Sequence, residues 1–323
     1  MASLLSIPVE LREFIYEHLF RSYTVKHGFG ISSSSNRTAI LQTCRQIHCE
    51  AWRHLPLNIS FHFRGTEAML DTLLSVDQSV VTRLRHIRVK AFPFPLYETE
   101  RAEYYTTYYF HNALSLLPGL HLDHLIVEDS FHGFGLVDGW RDVVTYFDIE
   151  SLLKSDAWKE LVYITPNTDF IASGYDHRRK RVAQPENWDA LLKERDGKES
   201  GAEVQMWIMP QSNSSDGSAQ QRAEPQQWSA RPGHEVVENW RLATPEQDLI
   251  GEVQIIARRG KRARYVQLGL SEKKTWAELK GKPRAFTRED WTPYYNDMAD
   301  AVGWVYGGWG RRMQLAHMAL DHA

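Results

Sequence analysis

The chain has 323 residues, a formal net charge of −3 and a pI near 6.5, so no overall positive field exists to hold a nucleic acid or an anionic membrane surface. Its 42% hydrophobic and 24% charged residues are globular proportions, long enough for one large domain or two ordinary ones. No run approaches the ~18 apolar residues of a spanning helix, and MASLLSIPVELREF is broken by Pro8, Glu10 and Arg12 too early for a signal peptide, so no membrane association is expected.

From Ser6 to Phe20 the residues Ile7, Leu11, Ile15 and Leu19 recur at four-residue spacing, with Val9, Phe14 and Phe20 widening the stripe. This predicts an amphipathic helix capped by Ser6, with Pro8 in the first turn. Tyr23 to Arg37, with Gly28, Gly30 and four consecutive serines, reads as a flexible connection. A second helix is predicted from Thr38 to Leu55 with an apolar face of Ile40, Leu41, Cys44, Ile47, Ala51 and Leu55, ended by Pro56.

The alternation of Asn58 to Phe63 predicts a strand. Helices are then expected at Thr66–Val76, Ala102–Leu117 and Asp142–Lys154, and strands at Leu84–Val89, Leu122–Val127 and Glu160–Ile164. Helix between strands favours parallel pairing and an α/β or α+β body. Strand starts recurring every ~25–40 residues admit a plain layered sheet or, second, a degenerate leucine-rich-repeat-like arc. Further along, a helix at Glu186–Arg195 and a strand at Glu203–Met209 precede Pro210–Pro232, whose composition reads as a disordered insertion. Ile250–Ala257 and Arg264–Gly269 read as a hairpin, and Thr292–Tyr306 and Arg311 onward as helices. The resulting division is 1–57 helical module, 58–209 α/β body, 210–232 insertion and 233–323 strands and helices completing the body.

Constellations that could carry chemistry are sparse. Cys44 and His48 are four apart on a predicted helix, but Cys44 falls in the apolar stripe and a core cysteine is the stronger reading. His121, His124 and His132 with Asp123 and Asp129 alternate with apolar residues as in a half-exposed strand. Gly307 to Arg312 matches no phosphate-cradling motif, and no nucleophile elbow is present. No catalytic residue, metal or cofactor is nominated, and the chain is expected not to be an enzyme. Two basic clusters remain, His177–Arg181 and Arg258, Arg259, Lys261, Arg262 and Arg264, the second a candidate anion or nucleic-acid patch although nucleic acid is not the favoured partner. With only Cys44 and Cys49 as thiols, a reducing compartment, cytoplasm or nucleus, is expected.

Two segments, Ile7-Pro-Val-Glu-Leu-Arg with its helix and Leu41-Gln-Thr-Cys-Arg-Gln-Ile-His-Cys-Glu-Ala51 followed by Asn58 to Phe63, together resemble the F-box-like N-terminus of large fungal protein families. The resemblance covers about the first fifth of the chain. It implies an adaptor that docks the Skp subunit of a cullin-RING ubiquitin ligase through Pro8, Leu11, Ile15, Leu19, Leu41 and Cys44, while the body presents an unknown target protein. The alternative is a stand-alone scaffold or regulatory protein in which the same helices are structural.

Overall fold

The computed structural model describes residues 4–27, 36–91, 94–97, 105–129, 140–165, 174–175, 181–182, 187–210, 226–227, 251–269 and 274–280. The predicted helices at Thr292–Tyr306 and Arg311 onward, the turn at Gly307–Arg312 and most of the Pro210–Pro232 segment lie outside these residues.

The chain opens with a 3-10 turn, Leu4–Ser6, and helix α1, Val9–Arg21. Pro8, not Ser6, is its N-cap. A proline there sacrifices no helical bond, and its carbonyl accepts the N–H groups of Leu11 and Arg12 at 3.1 Å each. Strand β1, Thr24–His27, follows within the segment read as flexible. Its sequence, Thr-Val-Lys-His, is short and lacks a clear period, but the N–H and C=O groups on its inner side are satisfied by parallel pairing with β2, Ser60–Phe63. Within the first 57 residues, read as a helical module, β1 joins the main sheet as its edge strand.

A 3-10 stretch, Asn36–Gln42, replaces the first two turns expected of the second helix. Helix α2 begins at Arg45 because Cys44 is extended and caps it, its Sγ accepting the Ile47 N–H. It then runs through Pro56 to Asn58, so the proline sits in the last turn instead of ending the helix. Helix α3, Thr66–Leu73, matches expectation, and a short α4, Gln78–Val81, leads into β3, His86–Ala91. The expected helix at Ala102–Leu117 is reduced to α5, Phe110–Ser115. Ahead of it, β4, Phe94–Tyr97, pairs antiparallel with β5, Tyr105–Tyr108, where a Tyr/Thr-rich run favours a pleated backbone.

Strand β6, Leu122–Asp129, helix α6, Trp140–Lys154, and β7, Trp158–Thr165, follow as read from the sequence. Beyond the small pair β8, Gly174–Tyr175, and β9, Arg181–Val182, come α7, Asn187–Asp196, β10, Glu203–Pro210, β11, Gln226–Gln227, β12, Gly251–Arg258, and α8, Trp276–Lys280. Strand β11 lies inside the segment read as a disordered insertion and pairs with β10.

The result is a mixed α/β fold around one eight-stranded sheet in the order β1-β2-β3-β6-β7-β12-β10-β11. The first five strands run parallel in chain order, and the last three join antiparallel. Burial alternates along each central strand, buried at Ile87, Val89, Leu125, Val127, Leu161 and Tyr163 and half-open between them. One face is thus sealed by helices in the main core, which takes in Met69, Leu70, Leu114, Leu152 and Leu192. The other face stays accessible. A second core beside it unites Tyr16, Phe20, Ile47, Ala51 and Ile59, with Phe61 touching both.

Arg264–Gly269 is not the returning strand of a hairpin. The Tyr265 carbonyl accepts the Ala157 N–H at 2.6 Å, and Gln267 exchanges backbone bonds with Gly119 and Leu120 at 2.7 and 2.9 Å. The segment straps the amino ends of β6 and β7, whose leading peptides would otherwise lack partners.

Within the main core, Asp148 of α6 is fully buried. Its carboxyl accepts the Phe110 N–H at 2.9 Å and the Tyr163 hydroxyl at 3.3 Å, while nearby Asp129 accepts the Thr145 hydroxyl at 3.0 Å. Burial, with Asp129 adding like charge, pushes Asp148 up to about 7 despite those donors. A folded-state value above the unfolded one makes this stabilisation complete below about pH 4 and progressively lost as pH rises toward 7. Asp148→Asn is expected to flatten that part of the stability–pH curve measured by urea unfolding. Asp148→Ala, which strands the Phe110 N–H, is expected to lose about 1–3 kcal/mol.

Candidate functional site

The sequence stripe and the buried face of α1 differ. A four-residue repeat drifts by ~40° per step around a helix, so Ile7, Leu11, Ile15 and Leu19 cannot all face one neighbour. The face turned inward carries Arg12, Tyr16 and Phe20, and Leu19 lies at its margin, half-buried. On the opposite side Leu11 is 53% exposed, Phe14 68% and Ile15 40%. Leu5 and Val9 continue exposed apolar surface at the amino end, and Trp52 of α2 is 47% exposed, its ring stacked with His48 at 6.1 Å. Leu11, Phe14 and Ile15 thus form an exposed apolar patch on one short helix.

What holds α1 in this rotation is polar. Arg12 grips Glu50 of α2 with two parallel bonds, Nε to Oε2 at 2.8 Å and Nη2 to Oε1 at 2.7 Å. The Tyr16 hydroxyl donates to Glu50 at 3.0 Å, Gln46 donates to it at 3.0 Å, and the remaining Arg12 nitrogen donates to the Ile7 carbonyl. The fork geometry fixes both helices about one carboxylate. Arg12 belongs to the first sequence segment and Glu50 to the second, so this ion pair joins the two. With its charge answered by the Arg12 guanidinium and Gln46 amide, Glu50 is held down at about 2.

Of the six residues named for docking, Pro8, Leu11 and Ile15 are open to solvent. Leu19, Leu41 and Cys44 are half-buried and pack on the second core, so they do not join that surface. Phe14, the most exposed of the large apolar residues, was legible as part of the stripe. Trp52 was not, because a lone tryptophan in a helical run gives no sign of its direction.

The basic cluster is divided. Arg258 bridges Glu160 at 2.8 Å and Glu203 at 2.7 Å. Arg259 is buried, bonded through Nε to Asp196 at 2.8 Å and stacked over Trp158 at 5.4 Å. Gly260 donates its N–H to the same Asp196, and a Cβ there would meet Ser200 at 2.4 Å, so the turn requires glycine. Only Lys261, Arg262 and Arg264 are left exposed, which corrects the reading of a five-residue anion patch: two members are structural ion pairs. The other cluster, His177–Arg181, lies outside the described residues except for Arg181.

The histidine group is likewise separated. His124 stacks on His86 with centroids 5.2 Å apart and meets Glu160 at 3.2 Å on the open sheet face. Asp129 sits on the buried face, and His132 lies outside the described residues. Cys44 and His48 part company too: Cys44 caps the helix, whereas the His48 ring contacts the Leu41 carbonyl at 2.8 Å. Among the described residues no group of three His, Cys, Asp or Glu could hold a metal, and no helix is long and apolar enough to cross a membrane.

Because the Glu50 value is depressed on folding, its contribution is present above about pH 4.5 and fades as pH falls toward 2. Arg12→Met and Glu50→Met, made singly and together, are expected to lower the melting temperature non-additively, the double variant being less harmed than the sum. Additive losses in that double-mutant cycle contradict the clamp.

Comparison with known proteins finds no family model, no curated relative and no solved structure that matches this chain.

Proposed function

We propose that this chain is a protein-interaction adaptor of F-box-like type, docked through the outer side of α1 by the Skp subunit of a cullin-RING ligase, with the α/β body presenting a target protein. The observation that supports it is the exposure of Leu11, Phe14 and Ile15 on one side of a helix whose other side is clamped. The body suits the role: its parallel strands follow chain order with helices on one side, an arrangement read here as a degenerate leucine-rich-repeat-like arc closed by β12, β10 and β11. Work as such an adaptor places the protein in the cytoplasm or nucleus, and needs no catalytic group or cofactor.

A stand-alone scaffold is the second reading, favoured by the inward packing of Leu19, Leu41 and Cys44. Titration of purified Skp adaptor into the folded chain separates the two. Leu11→Asp and Phe14→Asp are expected to weaken binding at least about tenfold, ~1.4 kcal/mol. Their stability should stay within about 0.5 kcal/mol of wild type, as for other surface changes. Phe20→Ala, in the second core, is expected to lose about 3–5 kcal/mol. A folded wild-type chain that takes up no adaptor removes the ligase reading, and unfolding by Leu11→Asp supports the scaffold.

A further inference from the structure

The accessible face of the sheet is zoned. In one row Lys26, His62 and Arg88 stand side by side on β1, β2 and β3, and the same row continues as Ile126, Val162 and Ile256 on β6, β7 and β12. Cations and histidine thus occupy one half, and branched apolar side chains the other. Lys26 is exposed, the Arg88 side chain is 41% exposed, and Ile126, Val162 and Ile256 are each half-buried, leaving part of their apolar surface in water.

Charge is distributed unequally along this face. On the β7–β12–β10 side, Glu160 and Glu203 are both answered by Arg258. On the β1–β3 side, Lys26 and Arg88 flank His62 in one row, and Arg88 meets Glu128 of β6. Lys26 and Arg88 give this end of the row a basic character although the chain as a whole is negative. A phosphodiester strand fits poorly. Glu128 and Glu160 lie in its path, and the aromatic ring that shares a row with Lys90, Trp207 of β10, stands four strands away from that lysine at the far end of the row. An extended peptide fits better: strands ~4.8 Å apart place Lys26 and Ile256 ~24 Å from each other, the reach of about seven extended residues.

We propose that this sheet face binds an acidic, partly apolar extended segment of a partner protein, its carboxylates over Lys26 and Arg88 and its apolar side chains on Ile126, Val162 and Ile256. The surface is separate from the outer side of α1, so it stands or falls apart from Skp docking. If the adaptor reading holds, this is where the target is read.

Fluorescence anisotropy of the full chain with a labelled peptide of about ten residues, Glu in its first half and Leu in its second, tests it. Binding is expected to weaken with salt and to fall at least about tenfold in Lys26→Glu/Arg88→Glu. Lys26→Gln/Arg88→Gln, the safer pair for folding, is expected to lose about threefold. Leu11→Asp, on α1, and Lys154→Glu, on the helix side, should leave affinity unchanged. The proposal is overturned if the peptide does not bind, if its Gln-for-Glu version binds equally well, if the Lys26/Arg88 variants bind as wild type, or if a labelled single-stranded oligonucleotide of similar length binds more tightly.

Discussion

A carboxylate held between two helices must be answered by a charge, and here the answer sets the orientation of everything amino-terminal to the sheet. Glu50 takes the forked Arg12 guanidinium, the Tyr16 hydroxyl and the Gln46 amide. Only one rotation of α1 about its axis allows this. In that rotation Tyr16 and Phe20 enter the second core, and Leu11, Phe14 and Ile15 are left facing water. Removing either charge leaves the other without its partner in a partly desolvated site, which is more harmful than replacing both. The exposed stripe is thus a consequence of the clamp, not an accident of a loosely packed helix.

The sheet extends the same logic of two unlike sides. Helices seal one face, and β1 ties the amino-terminal helices to its edge through parallel bonds to β2. The strap at Arg264–Gly269 and the Arg259–Asp196 pair close the amino ends of the central strands and the end of α7. The opposite face keeps its charges in hydrogen-bonded chains, His124 to Glu160 to Arg258 to Glu203, which hold long side chains in place without covering them. The molecule thus carries an exposed apolar surface on a clamped helix and a zoned face on its sheet.

Much of this was legible in the sequence where periodicity is strong. The strands at His86, Leu122, Trp158 and Glu203 and the helices α1, α3, α6 and α7 lie close to where alternation and helical spacing put them. The errors have physical causes. Strand β1 is too short to show a period and exists because β2 supplies its partners. The start of α2 was hidden because Cys44 reads as apolar while it acts as a cap. Arg264–Gly269 alternates like a strand, but its hydrogen bonds go to the turns before β6 and β7 instead of to β12. The inward face of α1 was misjudged because an arginine was not counted as something a helix would bury, and its partner lies 38 residues away. Still longer separations, 55 to 98 residues, concealed the ion pairs that consume Arg258 and Arg259.

Whether the outer side of α1 is open alone and covered in a complex can be read directly from thiol labelling. Phe14→Cys, in a chain carrying Cys44→Ser to preserve the cap and Cys49→Ser, would be reacted with a maleimide with and without purified Skp adaptor. The account predicts fast labelling of the isolated chain and strong protection by the adaptor. Slow labelling of the isolated chain, or a rate indifferent to the adaptor, contradicts it.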